Sequence, residues 1–348
     1  MKRILLGIAI IIMVLGLTAC GGVEPRSIME YAWGMDTQGR VSIFYMGREG
    51  GRAEQEYRAL AREALDFFVE MDLLFDRFNE QSDIWRINHA GGEYVEVSHH
   101  TIAVLQQALH FREMTGGRFD VTIGAVSDLW DFSFQAEPHI PAQADIDAAL
   151  ETVGADIIIS GNRVRLGHPG TRIDLGGIAK GYAADYIADF LRGHNVAAIV
   201  NLWGDIVLVG ERPDGYPWGV GVGHPFGPIL DNTRFVLEVR EGSVVTSGLG
   251  ARSFRHNGRL YHHIMDVSTG FPVDTDLYSV TVISPNATLG EGLTTALYVL
   301  GPYYGMRLVE DMEDIYIVLQ LEDDSVLTSP GVGPSGGEGV VIPFFWYD

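Results

Sequence analysis

The sequence predicts an α+β fold built on a large mixed sheet with helices. Three observations lead there. Stretches with apolar residues at three- and four-residue steps read as amphipathic helices. Short apolar runs bounded by Gly, Asn and Asp read as strands. The two kinds mix without a regular βαβ rhythm, which argues against a doubly wound parallel sheet. At 348 residues the chain is one large domain or two intimate ones. Its 47% hydrophobic and 10% aromatic content is that of a globular protein.

At the N-terminus, Lys2 and Arg3 precede an uncharged run from Ile4 to Leu17, which leads into Leu17-Thr18-Ala19-Cys20-Gly21. That is the order of a secretory signal, and the run is shorter than the ~20 residues a spanning helix needs. Leu-Thr-Ala-Cys looks like a bacterial lipobox, in which Cys20 is diacylated and becomes the mature N-terminus. An uncleaved anchor is the alternative. The expected layout is a signal peptide over 1–19, a tether over 20–29 and a folded body over 30–348.

Within the body, Val41 to Tyr45 alternates as a first strand. Arg52 to Phe78 is a long helix through Leu60, Ala64, Phe67, Phe68, Met71, Leu74 and Phe75. Ser98 to Met114 is a second helix, stopped by Thr115-Gly116-Gly117, and Asp145 to Val153 a third. Asp156 to Ser160 and Arg163 to Leu166 pair around Gly161-Asn162. Lys180 to His194 is a fourth helix. Val196 to Val200, Ile206 to Val209, Val236 to Val239, Tyr278 to Ile283 and Tyr316 to Leu321 are strands, and Gly290 to Leu300 is a late helix. Pro330 to Gly339 reads as a loop.

Charge excludes one class of partner. There are 24 Lys and Arg against 46 Asp and Glu, a formal net charge of −22, whereas nucleic acid needs a positive face. The single cysteine excludes a disulfide framework and a Cys-based zinc site.

Four segments carry candidate chemistry. In Asp174-Leu175-Gly176-Gly177-Ile178-Ala179-Lys180-Gly181, a strand end, two glycines and a helix start would offer free backbone N–H groups and a cation to a phosphate. A plain Gly-rich turn with a solvated Lys180 is the other reading, and neither the Walker nor the dinucleotide glycine pattern is present. Thr246-Ser247-Gly248, Arg252 and His262-His263-Ile264-Met265-Asp266 could supply a general base with an orienting carboxylate, a metal site, or a His pair closing a hairpin. Glu291 and Thr295 lie four apart on one helix face. That pair suits a hard cation such as Mg²⁺, although a Glu near a helix N-terminus is also favoured by the dipole alone. Phe119-Asp120-Val121-Thr122-Ile123-Gly124, running on to Leu129-Trp130, reads by itself as strand and turn.

In their order, these elements resemble the ApbE-type FAD:protein FMN transferases. Phe119 to Gly124 with Leu129-Trp130 is similar to the F-D-x-T-x-G…L-W signature, and Asp174 to Gly181 to D-L-G-G-I-A-K-G. Thr246-Ser247-Gly248 and His263-Ile264-x-Asp266-x-x-Thr269-Gly270-x-Pro272 match T-S-G and H-I-x-D-P-x-T-G-x-P. Ser82-Asp83-Ile84 with Asn88, and Met35-Asp36-Thr37, resemble two further elements.

The resemblance implies two subdomains around a flavin cleft and Mg²⁺-dependent cleavage of FAD. It further implies transfer of FMN to a Ser or Thr hydroxyl of an extracytoplasmic protein or membrane redox subunit, with release of AMP. It places Met35, Phe78, Arg118, Phe119, Asp120, Asp174, Lys180 and Ile264 at the flavin site. The backbone oxygen of Gly177, with Glu291 and Thr295, falls at the metal, and His263 is the general base. A lipid-anchored location on the extracytoplasmic side of the cell membrane follows from Cys20.

Three positions depart from the family pattern. Glu291 stands where Asp is usual, Trp203 where N-x-G-G-D has Gly, and Val267 where Pro follows Asp266. The first two favour a competing reading, an FAD-binding lipoprotein without transfer. A Mg²⁺-dependent FAD pyrophosphatase, using the same metal site without a protein acceptor, is a third.

Overall fold

The computed structural model describes residues 25–47, 51–132, 137–224, 226–227, 233–250, 252–332 and 340–341. The signal-like run, Cys20 and residues 333–339 of the expected loop lie outside them.

The described residues open on a hairpin, β1 (Pro25–Gly34) and β2 (Thr37–Met46). It continues through α1 (Arg52–Phe75), α2 (Asp83–His89), β3 (Val95–Glu96), α3 (His99–Met114), α4 (Gly124–Trp130) and α5 (Gln143–Leu150). Next come β4 (Ile157–Ser160), β5 (Arg163–Leu166), α6 (Ala179–Gly193), β6 (Ala197–Leu202), β7 (Asp205–Val209) and β8 (Trp218–Gly223). The rest is β9 (Thr233–Val239), β10 (Gly242–Gly248), β11 (Ser253–His256), β12 (Arg259–His262), β13 (Leu277–Ser284), α7 (Ala287–Val309), β14 (Tyr316–Leu321), β15 (Val326–Thr328) and β16 (Val340–Val341).

Eight strands form the main sheet in the order β1-β2-β6-β7-β10-β13-β14-β15. The α+β class is as expected. The sheet, however, is antiparallel in every ladder rather than mixed, because tight turns and returning excursions join its strands where a parallel pair would need βαβ crossovers.

On one face α1 and α6 bury Phe68, Met71, Ile187 and Leu191 against Val41, Ile43, Val200 and Val207. Each such side chain contributes about 1.5–3 kcal/mol on leaving water. The opposite face is covered by the small sheet β16-β9-β8, where Trp218, Val220 and Leu237 meet Leu208, Val244 and Ile283. α7 lays Leu293, Leu297 and Tyr298 on Val280, Val282 and Leu319.

A separate aromatic cluster fastens the segment 254–271 to α4. Trp130 stacks on Tyr261 at 5.7 Å and its indole N–H donates to the Gly270 carbonyl at 2.8 Å. Phe254 stacks on Tyr261 at 5.3 Å. A loop that would otherwise wander is thus held by ring packing.

Several local expectations change. Residues 25–29 belong to β1 and not to a tether, since their backbone pairs with β2 from Pro25 onward. Gly124–Trp130 is a helix and not a strand and turn. α1 ends at Phe75, where the Asp76 N–H closes on Asp72. The late helix begins at Ala287 and runs to Val309, broken at Gly301 (φ 71°) before Pro302, as the missing N–H of proline requires. β12 ends at His262, so His263 to Asp266 lie beyond the strand.

Candidate active site

The turn before α6 is clamped from behind. Buried Asn88 accepts from the Ile173 N–H at 2.7 Å and donates to its carbonyl at 3.0 Å. The Asp174 N–H donates to Val121 at 2.8 Å, and the Asp174 carboxylate accepts from the Gly176 N–H at 2.9 Å. Asp83 holds α2 to α3 through the Ser98 N–H and the Thr101 hydroxyl. The Ser82-to-Asn88 motif therefore supports the site without lining it.

At the start of α6 the helix N-terminus is already served. The Ile178 and Ala179 N–H groups donate to Leu175, and the Gly181 N–H donates to the Glu291 carboxylate at 2.7 Å. An anion favoured by the helix dipole is present, and it is a side chain of the protein. α6 and α7 approach closely because residue 181 is Gly; a Cβ there would stand 2.5 Å from the Ala287 carbonyl oxygen. Asp185 secures the crossing by accepting from the Ala287 and Thr288 N–H groups at 2.7 and 2.8 Å.

Lys180 is not the solvated cation of the plain Gly-rich turn. Its ammonium is paired with Asp205 and, at 2.5 Å, with Glu291. Burial alone would lower its pKa, but the two carboxylates outweigh burial and hold the proton on more firmly than usual. Burial and the charge of Glu291 push Asp205 up to about 7, with Lys180 partly offsetting them. The trio is a buried ion-pair network in which two acids share one base.

A second, open group of charges lies alongside. Arg77 pairs with Asp128, approaches Asp174 at 3.8 Å and covers the ring of Phe78 at 4.4 Å. Burial would raise the Asp174 pKa, but Arg77, the Gly176 N–H, Ser127 and Arg252 together hold it below the usual carboxylate range. Arg252 reaches Asp36 at 3.8 Å, which ties the β1–β2 turn to this group.

His263 projects into the same space. Its N–H donates to the Arg252 carbonyl at 3.2 Å, and its Nδ1 faces that oxygen at 3.4 Å. A carbonyl only accepts, so Nδ1 carries the proton and Nε2 presents a lone pair. Desolvation in the cleft, followed by the cation of Arg252, lowers its pKa below the ordinary imidazole value, so the ring is neutral at pH 7. Asp266 does not orient it. That carboxylate accepts from the Ser268 N–H at 2.8 Å and from the Ser268 hydroxyl, holding the turn in which Val267 replaces proline. His262 is buried against the Val273 carbonyl at 3.0 Å.

The remaining predicted residues divide into two sets. Met35 sits at the β1–β2 turn, its N–H donating to Asp72 of α1 at 2.6 Å, and Phe78 beyond the end of α1 is 64% exposed. Both border the open charge group. Phe119 is buried instead, packing on Phe111 at 5.8 Å beneath Gly177. Asp120 is buried too, bound to Thr122 and paired with Arg112 at 3.1 Å, so its carboxylate cannot meet a ligand. Ile264 belongs to the core under α7. Arg118 is exposed on the loop after α3.

Among the described residues no group of three or more His, Cys, Asp or Glu side chains converges on a metal position. The predicted donors are all oxygens, which suits a hard cation. The Thr295 hydroxyl stands 3.2 Å from where a Cβ of Gly177 would be and makes no side-chain hydrogen bond among the described residues. Glu291, one turn earlier, keeps its carboxylate on Lys180 and Gly181. The donor set fits in kind, with Glu291 engaged elsewhere.

Trp203 does not fill the cleft. With Gly204 it forms the β6–β7 turn, at φ 55° and 104°, and its ring is 66% exposed. It borders a surface pocket of about 240 Å³ with Ile206, Val220 and Thr246. Sequence reasoning missed Arg77 and Asp205 as members of the site, while Arg252 was already among the candidate segments. The only local signals for the two were the Arg beside Phe78 and the Asp ending the Asn201-to-Asp205 motif.

Comparison with known proteins gives a consistent result. The sequence model of the ApbE family matches residues 35–319. An FAD:protein FMN transferase of Treponema pallidum is 31% identical over 91% of this chain and 91% of its own. One of Klebsiella pneumoniae is 34% identical over 78% of this chain and 85% of its own. The structure superimposes on the ApbE protein of Thermotoga maritima with a TM-score of 0.77 at 30% identity, covering 88% of this chain and 97% of that one. It superimposes on the flavin transferase ApbE of Vibrio cholerae with a TM-score of 0.76 at 27% identity, covering 88% and 98%.

Proposed function

The chain belongs to the ApbE family, and from that premise we propose that it is an FAD:protein FMN transferase. FAD lies in the cleft between the β1–β2 turn, the Arg77–Asp174 group and His263. The acceptor is a Ser or Thr hydroxyl of an extracytoplasmic protein. Its oxygen attacks the phosphorus of the FMN half, the bond from that phosphorus to the bridging oxygen breaks, and AMP leaves with that oxygen. His263 Nε2 takes the hydroxyl proton. Positioning and charge do most of the work in such a transfer.

The observation that carries this reading is the state of His263. A neutral ring with Nδ1 turned to a backbone carbonyl leaves one basic nitrogen open at the cleft. Gly177, Glu291 and Thr295 would hold Mg²⁺, which when bound neutralises charge on the pyrophosphate. Lys180 acts one step removed, keeping Asp205 and Glu291 in place.

We also propose that Cys20 is diacylated and anchors the body to the extracytoplasmic face of the cell membrane. The support is the Leu17-to-Cys20 sequence. Among the described residues no helix is long and apolar enough to cross a membrane.

The engagement of Glu291 by Lys180 favours a second reading, a flavin-binding lipoprotein without transfer. One assay separates them. The protein is incubated with FAD, Mg²⁺ and an acceptor domain, then run on a gel viewed under ultraviolet light, with AMP measured in parallel. A fluorescent acceptor band with AMP is the expected outcome. AMP without a band would mean a pyrophosphatase, and tight FAD binding with neither would mean a carrier.

A further inference from the structure

The first strand carries an uncovered apolar face. Along β1, Met29, Tyr31 and Trp33 point to the same side and are 43%, 53% and 69% exposed. Met46, across the ladder from Pro25, is 49% exposed on that side. The positions that pair with this stripe are Gln38, Arg40, Ser42, Phe44 and Met46 of β2. None is acidic, in a chain of net charge −22, and the one ionised group is Arg40 opposite Tyr31. The acidic residue of β1, Glu30, lies on the other face, paired with Arg58 and Arg62 of α1. β1 is the last strand of the sheet, and the small sheet that covers the neighbouring strands does not include it.

The position of this stripe in the chain says what covers it. Five residue steps separate Cys20 from Pro25, a reach of about 18 Å at most. A chain anchored at Cys20 therefore starts β1 beside the headgroups. A strand standing upright would carry Trp33 a further ~27 Å away and leave the stripe in water. A strand lying flat would bury it. Trp and Tyr, each with an apolar body and a polar tip, suit the boundary between headgroups and acyl chains, and Arg40 suits anionic headgroups.

We propose that the Met29-Tyr31-Trp33 face of β1 rests in the headgroup layer of the membrane that holds Cys20. This rests on the acylated-Cys20 reading and extends it from an anchor to an orientation. Met35 and Asp36 lie two and three residues beyond Trp33, so the cleft opens along the bilayer surface. An acceptor hydroxyl must then be presented close to the membrane.

The test uses the full lipoprotein, purified with its acyl chains and reconstituted into phosphatidylcholine–phosphatidylglycerol vesicles whose lipids carry bromine high on the acyl chain. The chain has six tryptophans, so Trp33→Phe, which keeps an apolar ring, isolates one of them. The expected result is quenching of wild-type fluorescence by brominated lipid and loss of most of that quenched component in Trp33→Phe. Acylated protein whose quenching is absent, or unchanged by Trp33→Phe, overturns the proposal while the anchor stands. A mass spectrum showing Cys20 without acyl chains overturns the anchor and the orientation together.

Discussion

The two charged regions of the cleft are built on opposite plans. Lys180, Asp205 and Glu291 come from α6, β7 and α7, are largely buried, and meet through their side chains, with the Gly181 N–H as a further anchor for Glu291. His263 sits on an irregular segment, open to solvent, and is placed by the Arg252 backbone and by the aromatic cluster around Trp130 and Tyr261. The first region joins three elements by ion pairing, so its charges are structural as well as functional. The second fixes one nitrogen without using that nitrogen in the fold. Substitution in the trio should lower stability and activity together, and substitution at His263 should lower activity alone.

Lys180→Met gives the largest expected effect. It leaves two buried carboxylates without their cation, a loss on the order of 3–5 kcal/mol, read as a drop in denaturant midpoint with transfer falling alongside. Lys180→Met with Glu291→Gln removes one of the stranded charges and should recover part of the stability. Full stability in the single variant would show that the ion pairs do not hold the elements together.

His263→Ala should cost about 10²–10⁴-fold in transfer with FAD affinity kept and stability within about 0.5 kcal/mol of wild type. Because cleft and Arg252 hold the imidazole pKa down, the acidic limb of the rate profile should fall below pH 6.5. Initial rates against pH check this, and a limb at or above 6.5 would remove His263 as the base.

Glu291→Asp comes next. The shorter side chain cannot keep both the Gly181 N–H at 2.7 Å and Lys180 at 2.5 Å, so stability should fall by about 1–3 kcal/mol. Transfer should fall too, since this site is arranged around the longer acid. A variant more active than wild type would mean that Glu291 is a worn copy of the Asp usual in the family.

The pH dependence of stability separates the regions again. Folded Asp205 keeps its proton to about pH 7, whereas an unfolded Asp loses it near 4. The folded state therefore binds the extra proton in that window, and the stability tied to this group is complete below pH 4 and lost as pH rises through 7. Stability of wild type relative to Asp205→Asn should decline over pH 4–7 in denaturant titrations. His262 works the other way. Burial holds it down to about 4, so its contribution is present above pH 6.5 and lost as pH falls through 4.

Much of the fold was legible because its signals are local. Helical periodicity located α1, α3 and α6, and Asn or Gly turns located β4–β5. β1 escaped because its solvent face carries Met29, Tyr31 and Trp33 where alternation leads one to expect polar residues, while Glu30 lies on the helix side. In the site, motif spacing singled out His263, Asp174 and Glu291. It could not tell a residue that faces the ligand from one that supports it: Phe119 and Asp120 stand in the same motif style as Asp174 yet are buried under the turn. The pairing of Lys180 with Asp205 and Glu291 joins residues 25 and 111 positions apart, which no local pattern reports.

The smallest expected effect lies just outside both regions, at the β6–β7 turn. Trp203 and Gly204 both adopt positive φ, as a two-residue hairpin matching the twist of its strands requires. A tryptophan there has its Cβ crowded against the following carbonyl, at about 1–2 kcal/mol. Asn201 supports the turn by accepting from the Gly204 N–H at 3.1 Å, and the exposed ring recovers little by packing. Trp203→Gly relieves the crowding but adds freedom to the unfolded chain. The two terms oppose, and the expected net change in stability is a gain of no more than about 1 kcal/mol, read by denaturant midpoint. The effect on the trio should also be small, although Asp205 is two residues away, because its backbone is held by the ladder to Val245. FAD affinity therefore distinguishes the outcomes. Unchanged affinity fits a ring turned away from the cleft, and a tenfold gain would show that Trp203 had been occupying ligand space.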